Sequence, residues 1–346
     1  MSKIKLKDVA EKAGVSKSTV SQFINKRYEF MGKDTREKIE KIIEELGYQP
    51  NEVARSLKIK KTHTIGVIVA NILHPFSTYF SRGVEDYCQQ HGYNVILCNA
   101  DNDPFKEQSY IKMLQMKQAD GIIIASTGKN NDLIMKEIER GFPIVLFDRH
   151  FKDFEADTVL SDNYQGAFEV VEHLIHQGHR KIGLVIPEGQ LLSMRKLRIQ
   201  GYYDALKKHD IPVEDAFIKF VSKHTALLQL DSLCNGKNKP TAIFTINDLV
   251  TIEVLNYLKQ NKIKIPEDLA MVAFDDLPMA SLLEPPLTVV AQPNYEMGTA
   301  AATLLVNRIE SKNIGNYVKK VIPCKLIIRE SCGLDHSKEQ ETASNA

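Results

Sequence analysis

The chain has 346 residues, of which 43% are hydrophobic and 26% charged, and its formal net charge is +1. This length exceeds one ordinary core, so two or three domains are expected, and the composition is that of a soluble globular protein. No apolar run approaches the ~20 residues of a membrane span, and no apolar segment follows the charged start MSKIKLKD. The sequence therefore predicts neither a membrane helix nor a secretory signal.

The five cysteines are widely scattered and lack CxxC spacing. This pattern favours free thiols over a disulfide framework or a zinc site. We therefore predict a protein of the reducing cytoplasm.

Charge is unevenly distributed along the chain. Residues 1–62 contain 15 Lys/Arg and 9 Asp/Glu, a net of +6, and the remainder has a net of −5. A small basic head on an acidic body indicates that the head meets a polyanion. A terminus that is basic by chance is the alternative.

The head begins with two short amphipathic helices. Apolar residues at helical spacing predict a helix over residues 6–13, LKDVAEKA, with Gly14 as a left-handed C-cap. Ser16 is expected to cap a second helix, whose inward side includes Val20 and Phe23.

A third helix is predicted to begin at Asp34 or Thr35 and to end at Gly47. One more short helix, over residues 51–58, precedes a basic linker.

The body alternates strand-like and helical patterns. The strand-like runs cover residues 64–70, 93–99, 120–125, 143–148, 181–187, 241–246 and 269–274. The clearest helical patterns cover residues 80–90, 105–116, 164–176, 197–208 and 249–259. Buried β-branched strands that alternate with helices predict an α/β core of two doubly wound parallel-sheet subdomains, with a ligand cleft at the carboxyl ends of their strands.

The head carries a specific family resemblance. The segment KLKDVAEKAGVSKSTVSQFIN resembles the helix-turn-helix motif of the LacI/GalR family of bacterial transcription regulators. The resemblance continues through TREKIEKIIEELGYQPNEVARSLK and, less tightly, to KLIIRESC. It implies an all-α DNA-binding head, a hinge helix, a core resembling periplasmic sugar-binding proteins, and a homodimer. We expect these parts at residues 1–49, 50–62 and 63–333, followed by a disordered tail at 334–346.

The outward side of the second helix has the side chains that DNA-reading helices use. Lys17, Ser18, Ser21, Gln22 and Asn25 are residue types that reach base edges and phosphates in a major groove. A solvated helix surface is the alternative.

The resemblance divides this surface between base and phosphate contacts. Lys17, Ser18 and Gln22 are expected to read bases, and Ser16, Thr19 and Ser21 to hold phosphates. Many family members have Arg at the position of Gln22. Because Gln suits adenine and Arg suits guanine, the operator is expected to differ at that base.

The hinge is expected to fold only on DNA. Its residues matching the family are Asn51, Val53, Ala54 and Leu57, with Arg55 as a further minor-groove or phosphate contact. Eight residues are too few for a stable isolated helix. Two copies should meet in the minor groove, where Leu57 enters a base step. Packing of Leu57 on the core is the alternative.

The resemblance also places an effector site at the strand ends of the core. The expected residues are His74, Phe76, Ser77, Ser126, Asp148, Arg149, Arg198, Asn247, Asp248, Asp275 and Gln292. Paired donors and acceptors with an aromatic platform suit a hydroxylated ligand. Asp148 and Asp275 could instead cap helices.

The arginines indicate an anionic ligand. Arg149 and Arg198, with Lys129, suggest a sugar acid, because arginine binds carboxylates bidentately. The segment VSQFINKRYEFM is also similar to regulators of 2-keto-3-deoxygluconate use.

Other functions are less well supported. His173, His176 and His179 could suggest a metal, but their spacing drifts around a helix and GHRKIG resembles a structural junction of the family. No GxGxxG follows a strand, and there is no P-loop or GxSxG elbow, so neither an enzyme nor a cofactor is predicted.

The prediction is a cytoplasmic repressor of carbohydrate or sugar-acid catabolic genes. It binds a pseudo-palindromic double-stranded DNA operator under the control of a small effector. A family member controlled by a protein co-partner is the main alternative, and a sugar-binding transport protein is a weaker one.

Overall fold

The computed structural model describes residues 4–48, 61–151, 155–189, 192–236, 238–311 and 315–333. These residues form two compact units, Met1–Thr62 and His63–Ala346, which are described separately below. The predicted hinge contacts at residues 51–57 and the predicted tail at 334–346 lie outside the described residues.

The head is a bundle of three helices with a minimal core. The helices are α1 (Leu6–Ala13), α2 (Lys17–Ile24) and α3 (Lys33–Leu46). Val9, Ala13, Val20 and Ile39 have no exposed surface and hold the bundle together. Gly14 ends α1 with φ of +63°, the left-handed conformation that permits the tight turn into α2.

The predicted start of the third helix is wrong by one to two residues. The N-cap is Gly32, whose backbone is extended and which offers no side-chain oxygen. Asp34 lies in the first turn, where its carboxylate faces the positive end of the helix dipole. The cap predicted for α2 is confirmed, because Ser16 Oγ accepts the backbone N–H of Thr19 at 3.1 Å.

The core is built of helices packed on two sheets. Its helices are α4 (Pro75–Gln90), α5 (Pro104–Met116), α6 (Asn131–Glu139), α7 (Asn163–His176), α8 (Ser193–Lys208), α9 (Ala226–Cys234), α10 (Asp248–Gln260) and α11 (Asn294–Glu310). Its strands are β1 (Thr64–Val69), β2 (Asn94–Asn99), β3 (Gly121–Ile124), β4 (Ile144–Phe147), β5 (Asp157–Ser161), β6 (Ile182–Pro187), β7 (Ile218–Val221), β8 (Ala242–Thr245), β9 (Ala270–Phe274), β10 (Thr288–Ala291), β11 (Lys319–Ile322) and β12 (Lys325–Ile327). Among the described residues, every helix is too short or too polar to span a bilayer.

The two sheets define two subdomains, and the chain passes between them more than once. The first sheet has the order β11-β5-β4-β3-β1-β2 and the second β12-β10-β9-β8-β6-β7. All neighbouring strands are parallel except β12, which runs antiparallel to β10. The predicted pair of doubly wound sheets is confirmed.

Sequence patterns missed the elements with weak periodicity. Strands β5, β7, β10, β11 and β12 have three to five residues, and β11 is an exposed edge strand that begins with two lysines. Helix α11 is rich in alanine and buried on several sides, so it lacks a clear polar face.

Glycines allow two helix pairs to approach at backbone contact. In the first subdomain, a Cβ on Gly83 would overlap the carbonyl oxygen of Tyr295, and one on Gly298 would overlap that of Phe80. In the second subdomain, a Cβ on Gly201 would lie 2.5 Å from the carbonyl oxygen of Tyr164. These contacts fix α4 against α11 and α7 against α8.

We expect Gly298→Ala to destabilise the core by about 1–3 kcal/mol, because the new methyl group meets backbone that cannot rotate away. Helix propensity alone would give the opposite sign, a gain of roughly 0.5–1 kcal/mol. Urea unfolding measures the difference. In the control Gly315→Ala, the Cβ meets nothing within 4 Å and the midpoint should not move. Equal midpoints for both variants would refute the close approach.

Candidate functional sites

A polar cavity lies between the carboxyl ends of the two sheets. Its volume is about 80 Å³, below the roughly 300–1,000 Å³ of typical ligand pockets. The cleft is therefore closed, and admitting a sugar-sized molecule requires the subdomains to separate.

The structure brings ten of the eleven predicted effector residues to this cavity. They are His74, Phe76, Ser77, Asp148, Arg149, Arg198, Asn247, Asp248, Asp275 and Gln292. Sequence reasoning missed Asn102, Met194 and Arg195, which also line it. Their role in ligand binding remains a prediction.

Ser126 is the predicted residue that does not reach the cavity wall. Its hydroxyl is fully buried and donates to Glu107 Oε1 at 3.3 Å. Its carbonyl oxygen accepts Arg149 Nη1 at 2.8 Å. Glu107 also accepts the backbone N–H of Thr127 at 2.6 Å, so this carboxylate shapes the loop after β3.

Two aspartates occupy equivalent places in the two sheets. Asp148 follows β4 with φ of +63°, and Asp275 follows β9 with φ of +82°. Neither caps a helix in the described structure, since the next α-helices are capped by Asp162 and Pro293. Burial raises the pKa of both carboxyl groups. Strained, desolvated carboxyls of this kind are typical of binding sites.

Buried guanidinium groups face these carboxyls. Arg198 donates to Asn163 Oδ1 and the Ile246 carbonyl, both at 2.7 Å, and lies 3.6 Å from Asp275. Arg149 Nε is 3.8 Å from Asp148, beyond hydrogen-bond distance, and has no acceptor among the described residues. The cleft therefore contains cationic side chains, and Arg149 Nε could still donate a hydrogen bond to a ligand.

Arg195 adds a third cation. Burial lowers its pKa, and the neighbouring guanidinium groups of Arg198 and Arg149 lower it further. Helix α8 begins at Ser193, four residues earlier than the predicted residue 197. Arg195 therefore lies within the helix, about one turn before Arg198. Its position three residues before Arg198 could have predicted that both side chains lie on the same side of the helix.

Several hydrogen bonds join the two subdomains near the cleft, including His150 N–H to Ser193 Oγ at 3.1 Å, and one of them pairs two ionisable side chains. His74, the N-cap of α4, has its Nδ1 2.7 Å from Asp248 Oδ2 at the start of α10. The hydrogen bond to Asp248 raises the pKa of His74, although burial opposes it. The pair links the two sides of the cleft, and it is an ion pair when His74 is protonated.

Other residues that line the cavity also make contacts that stabilise the fold. Asn247 caps α10 by accepting the Val250 N–H at 3.3 Å. Gln292 donates to Asp275 at 2.5 Å and accepts from Ser161. Phe76 stacks at 6.3 Å from Phe147.

In the head, α2 presents the predicted DNA-reading surface. Lys17, Ser18 and Gln22 are exposed. Ser16 Oγ is 2.6 Å from Ser18 Oγ, so the hydroxyls cluster at the helix N-terminus, where phosphates bind favourably. Asn25, the C-cap of α2, donates its side-chain amide to the Ser21 carbonyl at 2.7 Å.

The three closely spaced histidines do not converge. His173 Nε2 is 3.2 Å from Cys332 Sγ, and His179 hydrogen-bonds with Thr241. His176 points to a different side, towards His209.

Family comparisons account for both units. A model described as bacterial regulatory proteins, lacI family, matches residues 5–51. A model described as periplasmic binding proteins and sugar binding domain of LacI family matches residues 62–330. The chain belongs to the LacI family of bacterial regulatory proteins. It is a DNA-binding transcription regulator, and its head separates it from transport proteins that share the core fold.

Individual LacI-family proteins resemble it along most of their length. A probable HTH-type transcriptional regulator, EndR of Paenibacillus polymyxa, is 44% identical over 89% of this chain and 91% of its own. The HTH-type transcriptional regulator KdgR of Bacillus subtilis (strain 168) is 33% identical over 94% and 97%. The structure of the transcriptional regulator CelR with cellobiose is 28% identical, with a TM-score of 0.70 over 95% of this chain and 99% of CelR.

The pair across the cleft predicts a pH dependence. Because the folded pKa of His74 is raised, its pairing stabilises this LacI-family core fully below the unfolded value of about 6.5. That stabilisation is lost as pH rises through the raised folded value. Asp248→Asn should lower the pKa of His74 in an NMR titration, with His74→Gln assigning the resonance. An unchanged His74 titration would contradict the pair.

Proposed function

We propose that this regulator is a repressor whose operator affinity is controlled by a small ligand bound in the closed cleft. The supporting observation is the set of buried, opposed charges supplied by both sheets. Asp148 and Arg149 come from the first subdomain, and Arg198, Asp248 and Asp275 from the second. A ligand that contacts the charged residues of both subdomains would fix the angle between them.

The ligand is a sugar or a sugar acid. Carboxyls with raised pKa, Asp148 and Asp275, suit the hydroxyl groups of a sugar, and Phe76 offers an apolar platform. Arg195 is half-buried beside the guanidinium groups of Arg149 and Arg198 and near the carboxyls of Asp148 and Asp248, and three arginines around one cavity favour an added carboxylate. Carbohydrate or sugar-acid catabolic genes are then the regulated class.

DNA is read by α2 in the major groove. Lys17, Ser18 and Gln22 contact bases, and Ser16 with its neighbouring hydroxyls contacts phosphates. The basic head releases counterions, so affinity falls steeply with salt. Binding to chromosomal DNA places the protein in the cytoplasm.

A homodimer presents two heads to a pseudo-palindromic operator. Apolar side chains exposed on α10 and on the segment between β9 and β10 support it, with Ile252 44%, Met279 59% and Leu282 80% exposed. They border a groove of about 1230 Å³. A second copy of the chain would cover them, since exposed apolar patches of this kind mark interfaces.

Ligand and DNA then influence each other through subdomain geometry. Closure around a ligand moves the first subdomain, which follows the predicted hinge in the chain. In this proposal the DNA contacts of the hinge are Asn51, Val53, Ala54, Arg55 and Leu57. Reciprocal coupling follows from linkage.

Replacing Gln22 with Arg should change base preference from adenine to guanine at one position per half-site. The exposed side chain tolerates the change without loss of fold. Selection of operators from a randomised duplex pool measures it. Glu29→Gln, on the exposed loop after α2, is the control and should select the natural operator. An identical selected sequence for Gln22→Arg would remove this residue from base reading.

The ligand class can be tested by thermal shift with neutral sugars and sugar acids. A bound ligand raises the melting temperature by mass action. Arg195→Gln should weaken sugar-acid binding at least about tenfold, the loss of a charge-assisted hydrogen bond, and spare neutral sugars. Lys196→Gln, exposed one residue away, is the control. If no small molecule shifts melting or operator affinity, control by a protein co-partner replaces this proposal.

A further inference from the structure

We propose that Glu172, His176 and His209 form a binding site for a transition-metal ion such as Zn²⁺ on the second subdomain. One ligand atom from each side chain lies within 4.8 Å of the others. None of the three lines the cleft, so the site is distinct from the ligand site.

The geometry suits a three-ligand metal site. Glu172 and His176 lie one turn apart on α7, which places them on one side of the helix. His209, the C-cap of α8, has its Nε2 3.1 Å from Glu172 Oε1. In a tetrahedral site with bonds of ~2.0–2.1 Å, ligand atoms are about 3.3 Å apart. Small side-chain rotations therefore complete the site.

The backbone that carries these ligands is fixed. Gly201 brings α8 into backbone contact with α7 at Tyr164. Tyr164 hydroxyl lies 3.2 Å from Asp204, and Lys208 Nζ lies 5.2 Å from the ring centroid of Phe168. The two helices thus run side by side in the same direction, and their C-terminal ends meet. Two helix C-termini with a carboxylate between them attract a cation.

In this structure the ammonium group of a lysine occupies the position next to the Glu172 carboxylate. Lys208 Nζ lies 2.6 Å from Glu172 Oε1, and its side chain is 57% exposed. An exposed ion pair of this kind contributes little stability, so a metal ion can displace the ammonium group into solvent.

The donor set determines the class of ion. Two imidazoles and one carboxylate suit Zn²⁺, Co²⁺, Ni²⁺ or Cu²⁺, whereas Mg²⁺ and Ca²⁺ prefer oxygen ligands. Water fills the fourth position. Because α8 begins at the cleft and ends here, the ion fixes the far end of the helix that carries Arg195 and Arg198.

The test uses the full chain without an affinity tag. Zn²⁺ is titrated by calorimetry, and Co²⁺ by its visible absorption in tetrahedral sites. We expect one ion per chain and a rise in melting temperature. His176→Gln and His209→Gln should each weaken binding at least about tenfold. His224→Gln, an exposed histidine elsewhere, should bind like the natural protein.

Lys208→Met keeps all three ligands and removes the competing cation, so it should bind Zn²⁺ more tightly. Circular dichroism in chelator checks that each variant is folded. The proposal is wrong if Lys208→Met binds no more tightly. It is also wrong if the two ligand variants retain natural affinity, or if His224→Gln loses as much binding as they do.

Discussion

Charge buried between the two sheets is the constraint on which the core depends. A carboxylate or guanidinium taken out of water is costly unless it is paired. The closed cleft pairs its charges incompletely, since Arg198 and Asp275 are 3.6 Å apart and Arg149 and Asp148 are 3.8 Å apart. A ligand with hydroxyls and a carboxylate would complete these contacts, so closure and binding stabilise each other.

The fold supplies rigid bodies on either side of this cleft. Glycine contacts fix α4 against α11 in one subdomain and α7 against α8 in the other. Each pair carries cleft residues at one end, with His74 at the start of α4 and Arg198 in α8. We therefore expect movement to be concentrated where the chain crosses between the sheets, so that a change in the cleft would become a change in the angle between the subdomains.

The sequence predicted the parts that follow from local pattern. Apolar runs located buried strands, and the polar residue after a strand, such as Asp148, was correctly placed on the cleft. Side-chain direction was not predictable: Ser126 also ends a strand, but Glu107, distant in sequence, turns its hydroxyl away. Arg195 was missed because the first turn of α8 lacks apolar periodicity. The short edge strand β11 is exposed and begins with lysines, so no alternation marked it.

In the proposed mechanism, ligand binding in the cleft and DNA binding at α2 share one equilibrium. The direct measurement is a pair of titrations by fluorescence anisotropy and calorimetry. One gives operator affinity with and without saturating ligand, and the other gives ligand affinity with and without saturating operator. We expect ligand to change operator affinity by the same factor, and in the same direction, as operator changes ligand affinity. A ligand that binds the cleft with equal affinity in the presence and absence of operator would contradict it.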